Sequence, residues 1–315
     1  MHELIWRYWE CEGGDAVLVP LAADCGASTI ACFAARGGSV PIWIAKVART
    51  RDGCDRLRRE QAALARLAPW HARIRLPRIL EWREAAADSC LIQTGLAGRT
   101  PRWRASRRGL VGKAREVTEA IASWILELQT LVPSPRAAGV QQLAAEWLSQ
   151  NHGPAEPWMP AELNGALEDA LRDSEELPAV ATHGDLWYGN ALWRSGLAGI
   201  TDWCGFDAGT PLDDLLSFLI KCPARNKDRP ALFRALFFDG KRLSRQAWAL
   251  AARLAPPASW RLCFYFFLAR RLWWEAGRSY QFRSADERAD SRAEWEASLA
   301  WLAERGFPAP WANLG

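Results

Sequence analysis

Four residues have the types and spacing that phosphoryl transfer from a nucleotide requires. Asp185 lies two residues after His183, Asn190 follows five residues later, and Asp202 comes twelve residues after Asn190. In such a reaction one carboxylate accepts the proton of the attacking hydroxyl, while an amide and a second carboxylate hold magnesium against the phosphates. The pattern therefore predicts Asp185 as the catalytic base, and Asn190 and Asp202 as the magnesium ligands.

The longer string around these residues resembles a known family. The loop reads His183-Gly184-Asp185-Leu186-Trp187-Tyr188-Gly189-Asn190, and its H-x-D-x-x-x-x-N spacing is typical of kinase catalytic loops. Ile200-Thr201-Asp202-Trp203 and Gly209-Thr210-Pro211-Leu212-Asp213-Asp214-Leu215 follow in order. Together these motifs resemble the aminoglycoside phosphotransferase and choline kinase family. Gly184 stands where protein kinases usually have arginine, which favours a small-molecule substrate.

The resemblance implies an α+β, bilobal protein-kinase-like fold, with a small β-rich N-terminal lobe and a larger, mostly helical C-terminal lobe. Residues 1–95 are expected to form the nucleotide-binding lobe, with a hinge near 93–98. Residues 96–315 are then the helical lobe with the catalytic loop and the acceptor site. The family also implies ATP or GTP as phosphate donor and Mg²⁺ as cofactor.

The resemblance implies a lysine at a strand end that contacts the α- and β-phosphates of the nucleotide, and Lys46 matches that position. It is the one lysine of five that ends an apolar, strand-like run, Val40-Pro41-Ile42-Trp43-Ile44-Ala45-Lys46-Val47. A helical pattern from Asp55 to Leu67 follows, with Leu57, Leu64 and Leu67 on its apolar stripe. The resemblance assigns Glu60 in this helix to the Lys46 ammonium. A lysine snorkelling from a strand end and a solvated helix glutamate are the alternatives.

The other nucleotide contacts rest on the resemblance alone. Gly26 and Ser28 lie where a phosphate-covering turn belongs, although the segment 21–29 contains a single glycine and also fits an ordinary hairpin. In the hinge, backbone groups near Thr94 and Leu96 are expected to bond the adenine edge.

Two helices can also be predicted. Ser244 is a candidate cap for a helix from Arg245 to Leu254. The apolar run Leu262-Cys263-Phe264-Tyr265-Phe266-Phe267-Leu268-Ala269 is too short to span a membrane and predicts a buried helical segment.

Composition excludes several classes of protein. The net charge of +4 is too small to indicate nucleic-acid binding. The arginines at 99, 102, 104, 107 and 108 are interpreted as a solvated loop, and the alternative is a cluster that attracts an anionic acceptor, a membrane surface or nucleic acid. The eight cysteines contain no C-x-x-C pair, which argues against a zinc site and favours a reduced, cytoplasmic setting. No signal-peptide core or membrane span is expected, and the oligomeric state is left open.

One position departs from the family pattern. The family often has an acidic residue two positions after the metal aspartate, and here that residue is Cys204. Either the site lacks a second acidic metal ligand or Asp207 supplies it, so the number of metal ions is open.

Three functions are consistent with these residues. The first is an ATP- and magnesium-dependent kinase that phosphorylates a small-molecule hydroxyl. The spelling H-G-D-L-W-x-G-N, which resembles fructosamine kinases, and the 19 tryptophans favour a sugar-like acceptor. A choline-like alcohol and an antibiotic are the alternative acceptors. Trp187, Trp203, Trp273 and Trp274 are placed where an acceptor could bind. The alternatives are a non-catalytic nucleotide-binding regulatory or scaffold protein, and a protein kinase, which ranks last because the chain has no recognisable activation segment.

Overall fold

The computed structural model describes most of the chain. Its described residues are 16–24, 27–34, 40–84, 89–101, 112–150, 161–221 and 242–282, together with residues 5, 110, 293, 296 and 300. The chain divides into two compact units. Unit 1 consists of Met1–Arg102 and His183–Phe206, and unit 2 consists of Trp103–Thr182 and Asp207–Gly315.

Unit 1 is built on an antiparallel sheet. Among the described residues it has five strands in the order β1-β2-β3-β5-β4. Their bounds are β1 Ala16–Asp24, β2 Ala27–Ala34, β3 Pro41–Ala48, β4 Ile79–Glu84 and β5 Ser89–Thr94. Lys46 of β3 lies opposite Thr29 of β2 and Leu91 of β5. Lys46 is therefore on an inner strand, where both neighbours fix its register.

The two faces of this sheet carry different residues. Trp43, Ala45 and Val47 of β3 alternate with Ile44 and Lys46, as the twofold period of a strand requires. The first three pack into one apolar cluster, whose other buried members are Ile5, Ala16, Cys32, Cys90 and Ile92. Lys46 thus points to the opposite face from this core.

Helix α1 (Arg51–Leu67) follows β3 within unit 1. Thr50 caps its first turn, because the Thr50 side chain accepts a hydrogen bond from the Gly53 N–H at 3.1 Å. Its buried stripe includes Leu57, Glu60 and Leu64, at the spacing of one helix face. A charged residue therefore occupies a core position of the helix. Helix α2 (His71–Ile74) is short and ends at Arg75, which has a left-handed backbone.

The second segment of unit 1 contains a short hairpin. Strands β7 (Ala191–Trp193) and β8 (Leu197–Ile200) pair antiparallel. Arg99 and Trp193 exchange backbone hydrogen bonds at 2.9 and 2.8 Å, and the Ile200 N–H donates to the Arg75 carbonyl at 3.1 Å. Segments about a hundred residues apart in sequence are thus joined through their backbones.

Unit 2 is mostly helical. Its helices are α3 Lys113–Leu131, α4 Val140–Gln150, α5 Ala161–Asp173, α6 Asp213–Ile220, α7 Arg242–Ala251 and α8 Trp260–Phe282. Strands β6 (Val180–Thr182) and β9 (Asp207–Gly209) pair antiparallel beside them. The core includes Trp248 and Trp260, whose rings stack 4.8 Å apart.

The start of α6 is held by buried polar contacts. Asp213 accepts hydrogen bonds from the Thr210 N–H and hydroxyl, both at 2.8 Å, and pairs with Arg270 of α8. Asp214 is also fully buried. The segment 209–215 therefore has a structural role inside unit 2, where its buried polar contacts hold the start of α6 against α8.

The two helices predicted in the C-terminal part of the chain can be compared with the structure. The run Leu262–Ala269 is a buried part of α8, as predicted. Ser244 lies inside α7, which begins at Arg242, so the predicted cap is wrong. No helix among the described residues has the length and apolarity that crossing a membrane would require.

Candidate active site

A buried ion pair forms the centre of the site in unit 1. The Lys46 ammonium lies 2.7 Å from both carboxylate oxygens of Glu60 and 3.4 Å from Oδ1 of Asp202. The Glu60 side chain is 1% exposed, whereas that of Asp202 is 28% exposed. Both carboxylate oxygens of Glu60 therefore bind the Lys46 ammonium, whereas the partly exposed carboxylate of Asp202 is accessible to a ligand.

The charges of these three residues depend on one another. Burial alone would lower the pKa of Lys46, but the carboxylates of Glu60 and Asp202 outweigh it and raise that pKa. Burial would likewise raise the pKa of Asp202, and the nearby Lys46, Arg56 and His183 bring it below the usual range. Burial raises the pKa of Glu60, and the Lys46 ammonium offsets part of this rise. Lys46 stays cationic and Asp202 stays anionic at neutral pH.

Arg56 contributes a second cation to the site. It lies one helical turn before Glu60, so both project from the same face of α1. Its Nη2 is 3.8 Å from Oδ2 of Asp202 and 3.8 Å from Sγ of Cys204. Asp202 is thus flanked by Lys46 on one oxygen and Arg56 on the other.

The catalytic-loop segment is fixed by His183. The imidazole is fully buried, and its Nε2 lies 3.0 Å from the Thr201 carbonyl while Nδ1 accepts from the Asp185 N–H at 3.3 Å. These partners assign the proton to Nε2. Asp185 itself is half-buried. The imidazole therefore ties the catalytic loop to the residue before Asp202.

Asn190 is oriented by the same loop. Its side-chain nitrogen donates to the Asp185 carbonyl at 3.0 Å, and the Thr201 N–H donates to the Asn190 carbonyl at 2.9 Å. Because the amide nitrogen is used, the amide oxygen is left as the available acceptor. An oriented amide oxygen and the carboxylate of Asp202 are hard oxygen donors, so the residues present fit the magnesium ion that the family implies.

Asp202 has an uncommon backbone conformation. Its φ of 66° and ψ of 64° are left-handed, a region that aspartate enters more readily than most residues. A 3₁₀ turn, Trp203–Gly205, follows directly. Trp203 is fully buried, with its indole N–H on the Ile200 carbonyl at 3.1 Å and its ring 4.6 Å from His183. Trp203 is therefore a core residue, and its predicted availability to an acceptor is wrong.

Two glycines of the catalytic loop have close neighbours where a side chain would begin, and at Gly184 the neighbour is backbone. Gly184 has a φ of 78°, and a Cβ there would overlap the Gly205 carbonyl. A Cβ at Gly189 would overlap the indole of Trp187, which in turn contacts Tyr188 edge-on at 4.8 Å between centroids. Both rings are half-buried beside the loop. The arginine of protein kinases could not replace Gly184 in this arrangement.

The predicted hinge residues Thr94 and Leu96 lie at the end of β5 and directly after it. The Thr94 N–H donates to the Arg78 carbonyl at 2.9 Å, and the Gly95 N–H donates to the Ile42 carbonyl at 3.1 Å. Within the described part of the chain, the Leu96 N–H has no hydrogen-bond acceptor. Leu96 thus offers the backbone donor that an adenine edge could use.

The remaining predicted residues are placed as follows. Ser28 lies in β2 opposite Val47, half-buried, while Gly26 lies outside the described residues, as do the side chains of Trp273 and Trp274. Asp207 is 55% exposed, accepts from the Ala208 N–H at 2.8 Å and lies 3.6 Å from Arg136.

Sequence reasoning missed Arg56. It is one of several arginines in α1, and nothing in its neighbours distinguishes it from a solvated one. The signal that could have found it is its spacing of four residues before Glu60, which places both on one helix face.

Comparison with known proteins identifies the family of the chain. The model of the phosphotransferase enzyme family matches residues 33–261. No curated protein matches the chain.

Solved structures share the fold at low sequence identity. Aminoglycoside phosphotransferase APH(3'')-Id from Streptomyces rimosus, in complex with ADP and streptomycin, has a TM-score of 0.50 and 22% identity, and the match covers 85% of this chain and 97% of that chain. Macrolide 2'-phosphotransferase MphH from Brachybacterium faecium has a TM-score of 0.53 and 18% identity over 98% of both chains. A choline/ethanolamine kinase family protein from Mesorhizobium loti has a TM-score of 0.52 and 17% identity over 91% of this chain and 88% of that chain.

These findings bear on the predictions from sequence. The likeness to solved structures confirms the α+β, kinase-like fold class. The family match supports an enzyme, a phosphotransferase, and it confirms the resemblance read from the motifs. The family model matches residues 33–261, which is most of the 315-residue chain, and the chain therefore belongs to the phosphotransferase enzyme family.

Proposed function

We propose that the protein transfers the γ-phosphate of ATP, as its magnesium complex, to a hydroxyl group of a sugar or sugar-like small molecule. One observation carries this proposal. The Lys46–Glu60–Asp202 cluster and the Asp185–Asn190 loop belong to the same compact unit and are joined through Thr201. That arrangement brings together a phosphate-binding cation, a metal-binding pair and a candidate base.

The nucleotide is held by the sheet and the hinge. The Lys46 ammonium, fixed by both oxygens of Glu60, binds the α- and β-phosphates as a positioned cation. The Leu96 N–H and the carbonyl of Thr94 bond the purine edge. ADP in the Streptomyces rimosus relative supports an adenine nucleotide as donor.

Asp185 acts on the acceptor. Its carboxylate accepts the proton of the acceptor hydroxyl as the oxygen forms a bond to the γ-phosphorus. The bond between that phosphorus and the β–γ bridging oxygen breaks, and ADP leaves with its electron pair. A base positioned in this way contributes roughly 10²–10⁴ in rate.

Asn190 and Asp202 hold the magnesium ion. When bound, magnesium neutralises charge on the transferred phosphate and the leaving group. The chain's own part is to present the amide oxygen of Asn190, fixed by the Asp185 carbonyl, and one carboxylate of Asp202. Two protein ligands suffice, since magnesium usually keeps several waters and takes phosphate oxygens.

The acceptor class is inferred from the relatives and from two aromatic rings of the catalytic loop. Relatives of the same fold include enzymes named for aminoglycosides and macrolides, one of them solved with streptomycin. The half-buried rings of Trp187 and Tyr188, between Asp185 and Asn190, could pack on a sugar ring. A choline-like alcohol is the competing acceptor.

The test is a search for the acceptor. ADP release from ATP and magnesium is followed across a panel of sugars, glycosylated antibiotics and amino alcohols, with Asp185→Asn as the matched control. The expected result is release that depends on a sugar-bearing acceptor and is absent from the variant. Nucleotide binding without release for any acceptor would favour the non-catalytic alternative.

A further inference from the structure

Arg56 occupies one side of the Asp202 carboxylate. Its guanidinium is 3.8 Å from Oδ2 of Asp202, on the side of Cys204, while Lys46 faces Oδ1. The Arg56 side chain is 19% exposed, so it is largely desolvated beside the carboxylate. A fixed cation at this distance repels any further cation that approaches the same oxygen.

The residues on the Cys204 side are poor ligands for magnesium. Cys204 offers a thiol, which is soft, whereas magnesium selects carboxylate, carbonyl and water oxygens. Glu60 is the other carboxylate in this cluster, and both of its oxygens are 2.7 Å from Lys46. Within the described residues, no group of three or more His, Cys, Asp and Glu side chains could hold a metal ion.

We infer that this centre binds a single divalent ion with the nucleotide, held by Asn190 and Asp202, and that Arg56 supplies the positive charge on the Cys204 side where a second ion would otherwise bind. The inference rests on the proposed function, because it concerns the metal complex of the same nucleotide. Arg56 is a positioning residue: it fixes the Asp202 carboxylate and limits the number of ions.

The number of ions can be counted without any turnover. The full chain is dialysed to equilibrium against a non-hydrolysable ATP analogue and millimolar Mn²⁺. The excess of metal and of nucleotide in the protein compartment is then measured. For the wild-type chain we expect one Mn²⁺ per bound nucleotide. A ratio of two overturns the inference and leaves the proposed function standing. Bound nucleotide without metal, or no bound nucleotide, overturns both.

Variants test the part assigned to Arg56. Arg56→Gln combined with Cys204→Asp removes the cation and adds a carboxylate, so the ratio should rise to two. Cys204→Asp alone should stay at one, because the guanidinium remains. A ratio of one in the folded double variant would overturn the role of Arg56.

The matched control removes an arginine from the same helix. Arg58 pairs with the exposed carboxylates of Asp55 and Glu84. Arg58→Gln combined with Cys204→Asp should therefore keep one ion. A ratio of two in this control would mean that Cys204 alone limits the count, which also contradicts the role of Arg56. Thermal unfolding shows which variants are folded. If the double variant is not folded, the ratio of Mn²⁺ to nucleotide in the wild-type chain still tests whether the site binds a single ion.

Discussion

The backbone carbonyl of Gly205 lies where a side chain at Gly184 would begin. The catalytic loop and the turn after Asp202 are therefore packed backbone to backbone, with no side chain between them. A Cβ on Gly205 would in turn lie 3.1 Å from the carbonyls of His183 and Gly184. This contact fixes the loop that carries Asp185 against the turn that follows Asp202.

Gly184→Ala should separate these two segments. The left-handed backbone at this position costs a non-glycine residue about 1–2 kcal/mol, and the overlap with Gly205 adds to it. We expect a lower free energy of unfolding and a large loss of transfer activity. Gly196→Ala is the control, since a Cβ there meets nothing within 4 Å. Equal stabilities of the two variants in urea would contradict the packing described.

Glu60→Gln should leave the Lys46 ammonium without its bidentate partner. Breaking a buried ion pair costs about 3–5 kcal/mol, and the loss should fall toward the lower end because Asp202 still faces Lys46. Affinity for ATP should weaken as well. Glu84→Gln makes the same change in an exposed pair with Arg58, where about 0–1 kcal/mol is expected. Chemical denaturation and nucleotide titration of both variants check this, and similar losses would be evidence against the assignment.

Acid should remove the stabilisation that ionised Asp202 provides. Its pKa is lower in the folded chain than in the unfolded one, since Lys46, Arg56 and His183 outweigh the effect of burial. The contribution is therefore present above the ordinary carboxyl pKa of about 4 and is lost as the pH falls below it. The stability gap between wild type and Asp202→Asn should be widest near pH 7 and should narrow on acidification. A gap that is constant between pH 7 and pH 3 would contradict this.

Substitution of Trp187 should weaken binding of the acceptor and leave binding of the nucleotide unchanged. Its indole lies against Gly189 and Tyr188, between the candidate base and Asn190. If it packs on a sugar ring, Trp187→Ala loses about 0.5–1.5 kcal/mol. KM for the acceptor should then rise roughly 2- to 10-fold, with KM for ATP unchanged. Trp187→Phe should recover part of the loss. A rise confined to KM for ATP would place the indole elsewhere.

The site residues that could be predicted from the sequence are those that belong to a motif with a recognisable spacing. Asp185, Asn190 and Asp202 lie in one short string, and Lys46 is the lysine at the end of a strand-like run. Glu60 could be proposed because the family resemblance calls for a helix glutamate that pairs with this lysine, and the structure places it on the buried face with Leu57 and Leu64. These assignments depend on motif spacing and on the family resemblance, both of which can be seen in the sequence itself.

What the sequence could not show depends on contacts between distant segments. Gly205 was not recognisable as the partner of Gly184. The backbone bridge between Arg99 and Trp193 likewise joins residues far apart in the chain. The sequence placed Trp203 where an acceptor could bind, because tryptophan composition does not distinguish a ring packed in the core from one that binds a ligand. Nothing in the sequence distinguishes Arg56 from the other arginines of its helix, whereas its position 3.8 Å from Asp202 does.

The most direct test of the proposed mechanism is a comparison of wild type with Asp185→Asn in two measurements on the same protein samples. The first is the rate of phosphate transfer from ATP and magnesium to an accepted hydroxyl, and the second is the affinity for the nucleotide. We predict that transfer falls by roughly 10²–10⁴, while nucleotide affinity stays close to that of wild type. Transfer at the wild-type rate in the variant would contradict the role of Asp185 as the base.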